Sequence, residues 1–173
     1  MPCSPSSRFA WIVACLAMLA APASMALEAG DQAPDFTLPV LQSGVAPGAQ
    51  VSLSDYQDDI VYIDFWASWC GPCRQSLPLY EALHQELSGQ GLQIVAINLD
   101  EREEDASRFL AKHPVSYTVL RDANAETPEA WKVKAMPTSY LLDGSGQVVR
   151  IWAGFKPSHM QEIRDAIAGL QRP

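Results

Sequence analysis

Positive charge is scarce in this chain: 12 lysines and arginines stand against 20 aspartates and glutamates, a net of −8. They form no basic run, which argues against nucleic acid as a partner, because affinity for it comes mainly from neutralised phosphates. Cysteine is scarce too. Four are too few for a disulfide-built scaffold, so their placement matters more than their number. Internal repeats and an interdomain linker are absent, and 173 residues is the length of one domain. With 48% hydrophobic and 18% charged residues the composition is globular, which excludes a disordered, collagenous or coiled-coil chain.

What is present begins with an address. Residues 1–8 hold one charge, Arg8, and the stretch Phe9–Ala21 holds none. The run stops at Pro22, and Ser24-Met25-Ala26 offers the small residues that signal peptidase reads. The expectation is a signal peptide over residues 1–26. An uncleaved N-terminal membrane anchor is the alternative, since Phe9–Leu27 nearly reaches the roughly 20 residues of a spanning helix. Ile12-Val13-Ala14-Cys15 is also similar to a lipoprotein cleavage box, although the apolar run continues past Cys15. Each reading puts the folded part, residues 27–173, outside the cytoplasm. Removing residues 1–26 removes Cys3 and Cys15 and leaves Cys70 and Cys73. A chain of the remaining length buries about two-thirds of its unfolded surface, so this pair is not needed to hold the fold together.

The remainder alternates between strand and helix patterns. Phe36-Thr37-Leu38 and Val51-Ser52-Leu53 predict a small leading hairpin. Ile60–Trp66 is nearly continuous and apolar, as befits a central strand buried on both faces. From Gly71 the spacing of Leu77, Tyr80, Leu83 and Leu87 predicts a helix, with Gly89 as its stop. Leu92–Leu99 is a second buried strand. Glu101, Glu103, Glu104 and Asp105 then form an acidic helix start, suited to the positive end of the helix dipole, followed by Ala106, Phe109 and Leu110 on one face. Tyr117–Leu120 predicts a short strand, and Thr127-Pro128 an N-cap with proline at the first helical position. Strands over Thr138–Leu142 and Gln147–Trp152 flank the turn signal Asp143-Gly144-Ser145-Gly146, and Met160, Ile163, Ile167 and Leu170 mark a closing amphipathic helix.

The chemistry is concentrated in Cys70-Gly71-Pro72-Cys73, where strand gives way to helix. A cysteine at a helix N-terminus meets free amide N–H groups and the positive dipole end, which favour thiolate over thiol. The second cysteine, three residues on, lies on the same helical face. In that arrangement Cys70 attacks a substrate sulfur and Cys73 resolves the mixed disulfide. The alternatives are half of a zinc site or a purely structural bridge. Zinc needs about four ligands, and His84, His113 and His159 show no ligand spacing.

Phe65-Trp66-Ala67-Ser68-Trp69-Cys70-Gly71-Pro72-Cys73 closely resembles the active-site stretch of the thioredoxin superfamily. The leader Gly30–Leu38, the export signal and the long Ile97–Leu120 segment narrow the resemblance to the TlpA/ResA-type periplasmic thiol–disulfide oxidoreductases. It covers roughly residues 28–170. It implies an α/β thioredoxin-like fold, a central mixed sheet flanked by helices, with the N-terminal hairpin and an inserted β-α element around Asp100–Leu120. It further implies an exported reductase of disulfides. Its substrates would be oxidised exported proteins, a membrane thiol donor would re-reduce it, and its only redox group would be the Cys70–Cys73 disulfide, with no cofactor or metal.

Residue by residue, the resemblance makes Asp64 the buried acid that handles protons for Cys73, a role that burial supports by raising its pKa. It makes Met136-Pro137-Thr138 the cis-proline loop, whose backbone pairs with an extended substrate. Pro78 becomes the kink proline of the active-site helix, and Gly154 the glycine that lets substrate approach. Trp69, Gly71, Pro72 and Met136 fall on the substrate-binding surface, and Trp66 is a packing residue.

Three departures matter. Reductases dedicated to cytochrome c maturation often carry glutamate where this chain has Ser76. Their proline loop often contains an acid, whereas this one reads Pro137-Thr138-Ser139. The strand Leu92–Leu99 lacks the lysine that partners the buried acid in thioredoxin proper. A general reductant therefore fits better than one dedicated to apocytochrome. An oxidase or isomerase using the same cysteines is an alternative, as is a Cu(I)-handling module, since soft thiolates suit that ion. The Ala33–Leu38 leader also occurs in peroxiredoxins, but no Pro-x-x-x-Thr-x-x-Cys motif precedes Cys70.

Overall fold

The computed structural model describes residues 1, 26–42 and 48–171. The export segment, with its cleavage and anchor readings, lies outside the described residues except at its ends. Among the described residues, seven strands form one mixed sheet: β1 (Thr37–Gln42), β2 (Gln50–Ser52), β3 (Ile60–Trp66), β4 (Leu92–Asn98), β5 (Thr118–Arg121), β6 (Thr138–Leu142) and β7 (Val148–Ala153). Four helices join them: α1 (Gly71–Leu87), α2 (Glu103–Leu110), α3 (Glu126–Ala130) and α4 (His159–Leu170). The strand order is β2-β1-β5-β4-β3-β6-β7, with β4 at the centre and β3 beside it, parallel to β4 and antiparallel to β6. Among the described residues, no helix is long and apolar enough to cross a membrane.

Strand periodicity divides the core. Along β3, Val61, Ile63 and Phe65 pack on one face with Val95, Ile97, Trp131 and Tyr140. Tyr62 and Trp66 pack on the other with Leu77, Tyr80 and Leu83 of α1 and Ile163 and Ile167 of α4. Alternate strand residues point to opposite faces, so Asp64 shares the face of Tyr62 and Trp66, the side on which α1 lies.

The expected leading hairpin forms, as β1 and β2. The inserted segment runs helix first and strand second: α2 packs Ala106, Phe109 and Leu110 into the core, and β5 then joins the sheet between β4 and β1. Two local expectations need correction. Thr127 does not cap α3; it is the second helical residue. The cap is supplied by Asp122, whose carboxylate accepts from the Thr127 amide at 2.8 Å and the Glu126 amide at 3.4 Å. Nor does Gly89 end α1 in a left-handed turn. The chain tightens into a 3-10 turn over Ser88–Gln90, and Gly91 takes the positive φ of 82° that lets it enter β4.

Candidate active site

Strand β3 delivers the active-site loop, and two tethers fix it. The Cys70 amide donates to Ala67 O at 3.1 Å. The buried Asp100 carboxylate, just past β4, accepts from the Ser68 amide (3.0 Å), the Ser68 hydroxyl (2.9 Å) and the Asn98 side-chain amide (2.8 Å). A buried carboxylate needs such donors, so its own demand for partners pins the loop.

Cys70 is the N-cap of α1, with the Cys73 amide donating to its sulfur at 3.3 Å. The two cysteines are joined as a disulfide with Cα atoms 5.3 Å apart. Cys70 keeps 5% exposure and Cys73 none. Cys70 opens onto a cleft of about 530 Å³. Trp69, Gly71, Pro72 and Met136, all singled out from sequence, line it, joined by Leu99 and Val133, which were not. Trp69 is 65% exposed, while Trp66 is fully buried against Phe109.

The peptide bond Met136–Pro137 is cis. The Gly154 amide donates to Pro137 O at 2.7 Å, tying the end of β7 to this loop. Gly154 has φ +79°, and a Cβ there would meet no atom within 4 Å. The site thus has room on this side as well.

Beneath the cysteines lies a buried polar chain. Asp64 is fully buried and sits opposite Ser139 in the β3–β6 register. Ser139 Oγ donates to Asp64 Oδ1 at 2.7 Å, and Tyr80 Oη lies 3.4 Å from Ser139 Oγ. Since the serine hydroxyl has a single proton and gives it to the aspartate, Tyr80 donates to the serine. Asp64 Oδ2 has no partner among the described residues. On the β4 side Asp64 faces Ala96, where no cation stands. Burial pushes the Asp64 carboxyl up from an ordinary 3.8 to about 7, only partly opposed by the Ser139 hydrogen bond. Burial above all raises the Tyr62 and Tyr80 hydroxyls as well, with Tyr80 and then Asp64 adding to it at Tyr62 and Asp64 at Tyr80, so both stay protonated.

Reading the sequence alone missed Ser139 and Tyr80 as neighbours of the acid. Ser139 was visible only as the absence of an acid in the proline loop; its partner is set by cross-strand register. Pro78 lies inside α1, as expected. The three histidines are dispersed against Tyr117, Phe109 and Phe155 respectively. Among the described residues, no group of three or more His, Cys, Asp or Glu could hold a metal ion.

The AhpC/TSA family model matches residues 29–151. The thiol–disulfide oxidoreductase ResA of Oceanobacillus iheyensis is 34% identical over 125 residues, covering 72% of this chain and 65% of that one. The ResA of Geobacillus kaustophilus is 31% identical over 129 residues, covering 75% and 71%. The chain thus spans about two-thirds of the length of these curated relatives. Among solved structures, a Chlorobium tepidum protein assigned as thiol:disulfide interchange protein DsbE is similar with a TM-score of 0.79 and 41% identity, over 85% of this chain and 100% of that one. Likeness of this extent places the chain in the AhpC/TSA family of the thioredoxin superfamily, as a thiol–disulfide oxidoreductase of the ResA and DsbE type.

Proposed function

We propose that this protein is an exported reductase, acting in the periplasm on disulfides of other exported proteins. The observation that carries the division of labour is the difference between its sulfurs: Cys70 at the helix N-cap meets the cleft, and Cys73 is sealed behind it. In the reduced enzyme the Cys70 thiolate attacks one sulfur of a substrate cystine, forming a mixed disulfide and releasing a substrate thiolate. Cys73, deprotonated through Asp64, attacks Cys70 Sγ and releases the second substrate thiolate. Two electrons pass to the substrate, and the enzyme is left as the Cys70–Cys73 disulfide, its only redox group. Exported compartments are oxidising, so a membrane dithiol donor must return those electrons. The N-terminal segment serves as export signal or as inner-membrane anchor. Pro137 and Met136 supply the edge along which an extended substrate lies, with Trp69 and Gly154 flanking the approach.

Equilibration of the pair against a glutathione or dithiothreitol series tests the direction of flow. A reduction potential near that of thioredoxin, about −270 mV, is expected; a value near about −120 mV would make the protein a disulfide donor instead.

Ser139 also enters here. Its hydrogen bond favours the ionised acid, and bonds to charged groups are worth about 1.5–3 kcal/mol. In Ser139→Ala the Asp64 titration is expected to move further up, shifting the pH–rate profile of exchange by roughly one pH unit towards alkali. A profile that stays in place would remove Ser139 from the mechanism.

A further inference from the structure

Positive charge, scarce overall, gathers beside the active-site loop. Ser68, Arg74, Asp105, Arg108, Lys112 and His113 line a recess of about 210 Å³. Three permanent cations stand there against one carboxylate, in a chain of net charge −8. That carboxylate is already shared, lying 3.3 Å from Arg108 and 2.8 Å from Arg102. Arg74 turns Nε and Nη2 to the Ser68 carbonyl, at 3.4 and 3.2 Å, which fixes the guanidinium without neutralising it. Among the described residues, neither Arg74 nor Lys112 has a carboxylate partner. Like charges held together raise the local potential, and an incoming anion relieves it. The position is informative as well. Ser68 and Arg74 bracket the cysteine pair in sequence, and Trp69, next to Ser68, lines the cleft that holds Cys70. Recess and cleft therefore share the active-site loop as a common wall.

We propose that this recess is a docking subsite for a carboxylate side chain of the protein substrate, carried close to the cysteine that Cys70 attacks. The proposal rests on disulfide exchange at Cys70 and holds for either direction of electron flow. A protein carboxylate is favoured over an anionic membrane because a lipid surface lying on the recess would also cover Trp69 and the opening to Cys70. Against a net charge of −8, a recess lined by three cations draws an acidic side chain to this side of the active-site loop, so it favours both the partner and the angle of approach.

Three disulfide-bonded peptides, identical except for Glu, Gln or Lys beside the cystine, test this with the full chain. At low salt, about 50 mM, the Glu peptide is expected to react about tenfold faster than the Gln peptide and the Lys peptide more slowly, the differences collapsing near 0.5 M as screening shortens. In the exposed double variant Arg108→Gln/Lys112→Gln the Glu-to-Gln ratio falls towards one. In Arg108→Lys/Lys112→Arg, which keeps the charges, it returns. Three results overturn the proposal. One is a wild-type ratio of one. Another is an equal slowing of all three peptides in the double variant, which would mean that the cations act on the Cys70 thiolate rather than on the substrate. The third is a ratio unchanged in that variant while binding to phosphatidylglycerol vesicles is lost, which would assign the recess to a membrane surface.

Discussion

Cys70→Ser is expected to lower disulfide exchange to background, a loss of more than about a thousandfold, because among the described residues no other cysteine lines the cleft. Cys73→Ser fails differently. Cys70 still sits at the head of α1, where the amide donors and dipole favour its thiolate. It attacks, and the mixed disulfide then has no resolving partner. The variant should gain the mass of one substrate at Cys70, and dithiothreitol should remove it. Cys73 is fully buried, so the reverse trap, a Cys70→Ser protein loaded at Cys73, is not expected. Intact-mass measurement after exposure to a disulfide peptide distinguishes the two, and loading at Cys73 would invert the assigned roles.

Asp64→Asn is expected to make the protein more stable and slower. The folded state holds this carboxyl at about 7, against an ordinary 3.8, because burial disfavours the charge. Below about pH 4 the acid is neutral in both folded and unfolded chains and costs little. As pH rises towards 7 the unfolded chain ionises while the folded one keeps its proton, so the native state loses stability across that window. Each tenfold difference in ionisation is worth about 1.4 kcal/mol, which makes the full loss roughly 4 kcal/mol above pH 7. Asparagine carries no such penalty. Urea unfolding at pH 8 should find Asp64→Asn more stable by up to that amount. Near pH 4 the two proteins should agree within about 1 kcal/mol, the worth of the altered Ser139 contact. In the same variant exchange should slow at least about tenfold at pH 7, and the rate should lose its inflection near that pH. Equal pH dependence of stability in the two proteins would show that the acid is not buried as charge-averse as its surroundings imply.

The acid illustrates how far the linear chain can be read. An ionisable residue inside an apolar run is conspicuous, and strand alternation places it with Tyr62 and Trp66. What opposes it is not conspicuous. Ser139 reaches Asp64 because β6 lies antiparallel against β3 in one particular register, and a slip by one residue would have turned the serine to the other face. The cap of α3 was misread for a related reason. Thr127-Pro128 has the local chemistry of a helix start, but a carboxylate four and five residues upstream, in Asp122, reaches the free amides first. Composition points to Gly89 as the stop of α1, but the geometry of entry into β4 puts the left-handed residue at Gly91.

By itself the sequence determined the class of the molecule, the order and nearly all the spans of its strands and helices, and the cysteine pair that stands at the head of α1. Those features depend on hydrophobic period, on turn residues and on two thiols at a strand-to-helix switch, all of which act over a few neighbouring residues. Only the tertiary structure decided which sulfur meets solvent, which hydroxyl faces the buried acid, and that Arg74 of α1, Arg108 of α2 and Lys112 in the turn after α2 share one recess beside Ser68. Exposure, hydrogen bonding and local potential belong to groups brought together from distant parts of the chain. They exist only once the sheet has set its register and the helices have packed on it.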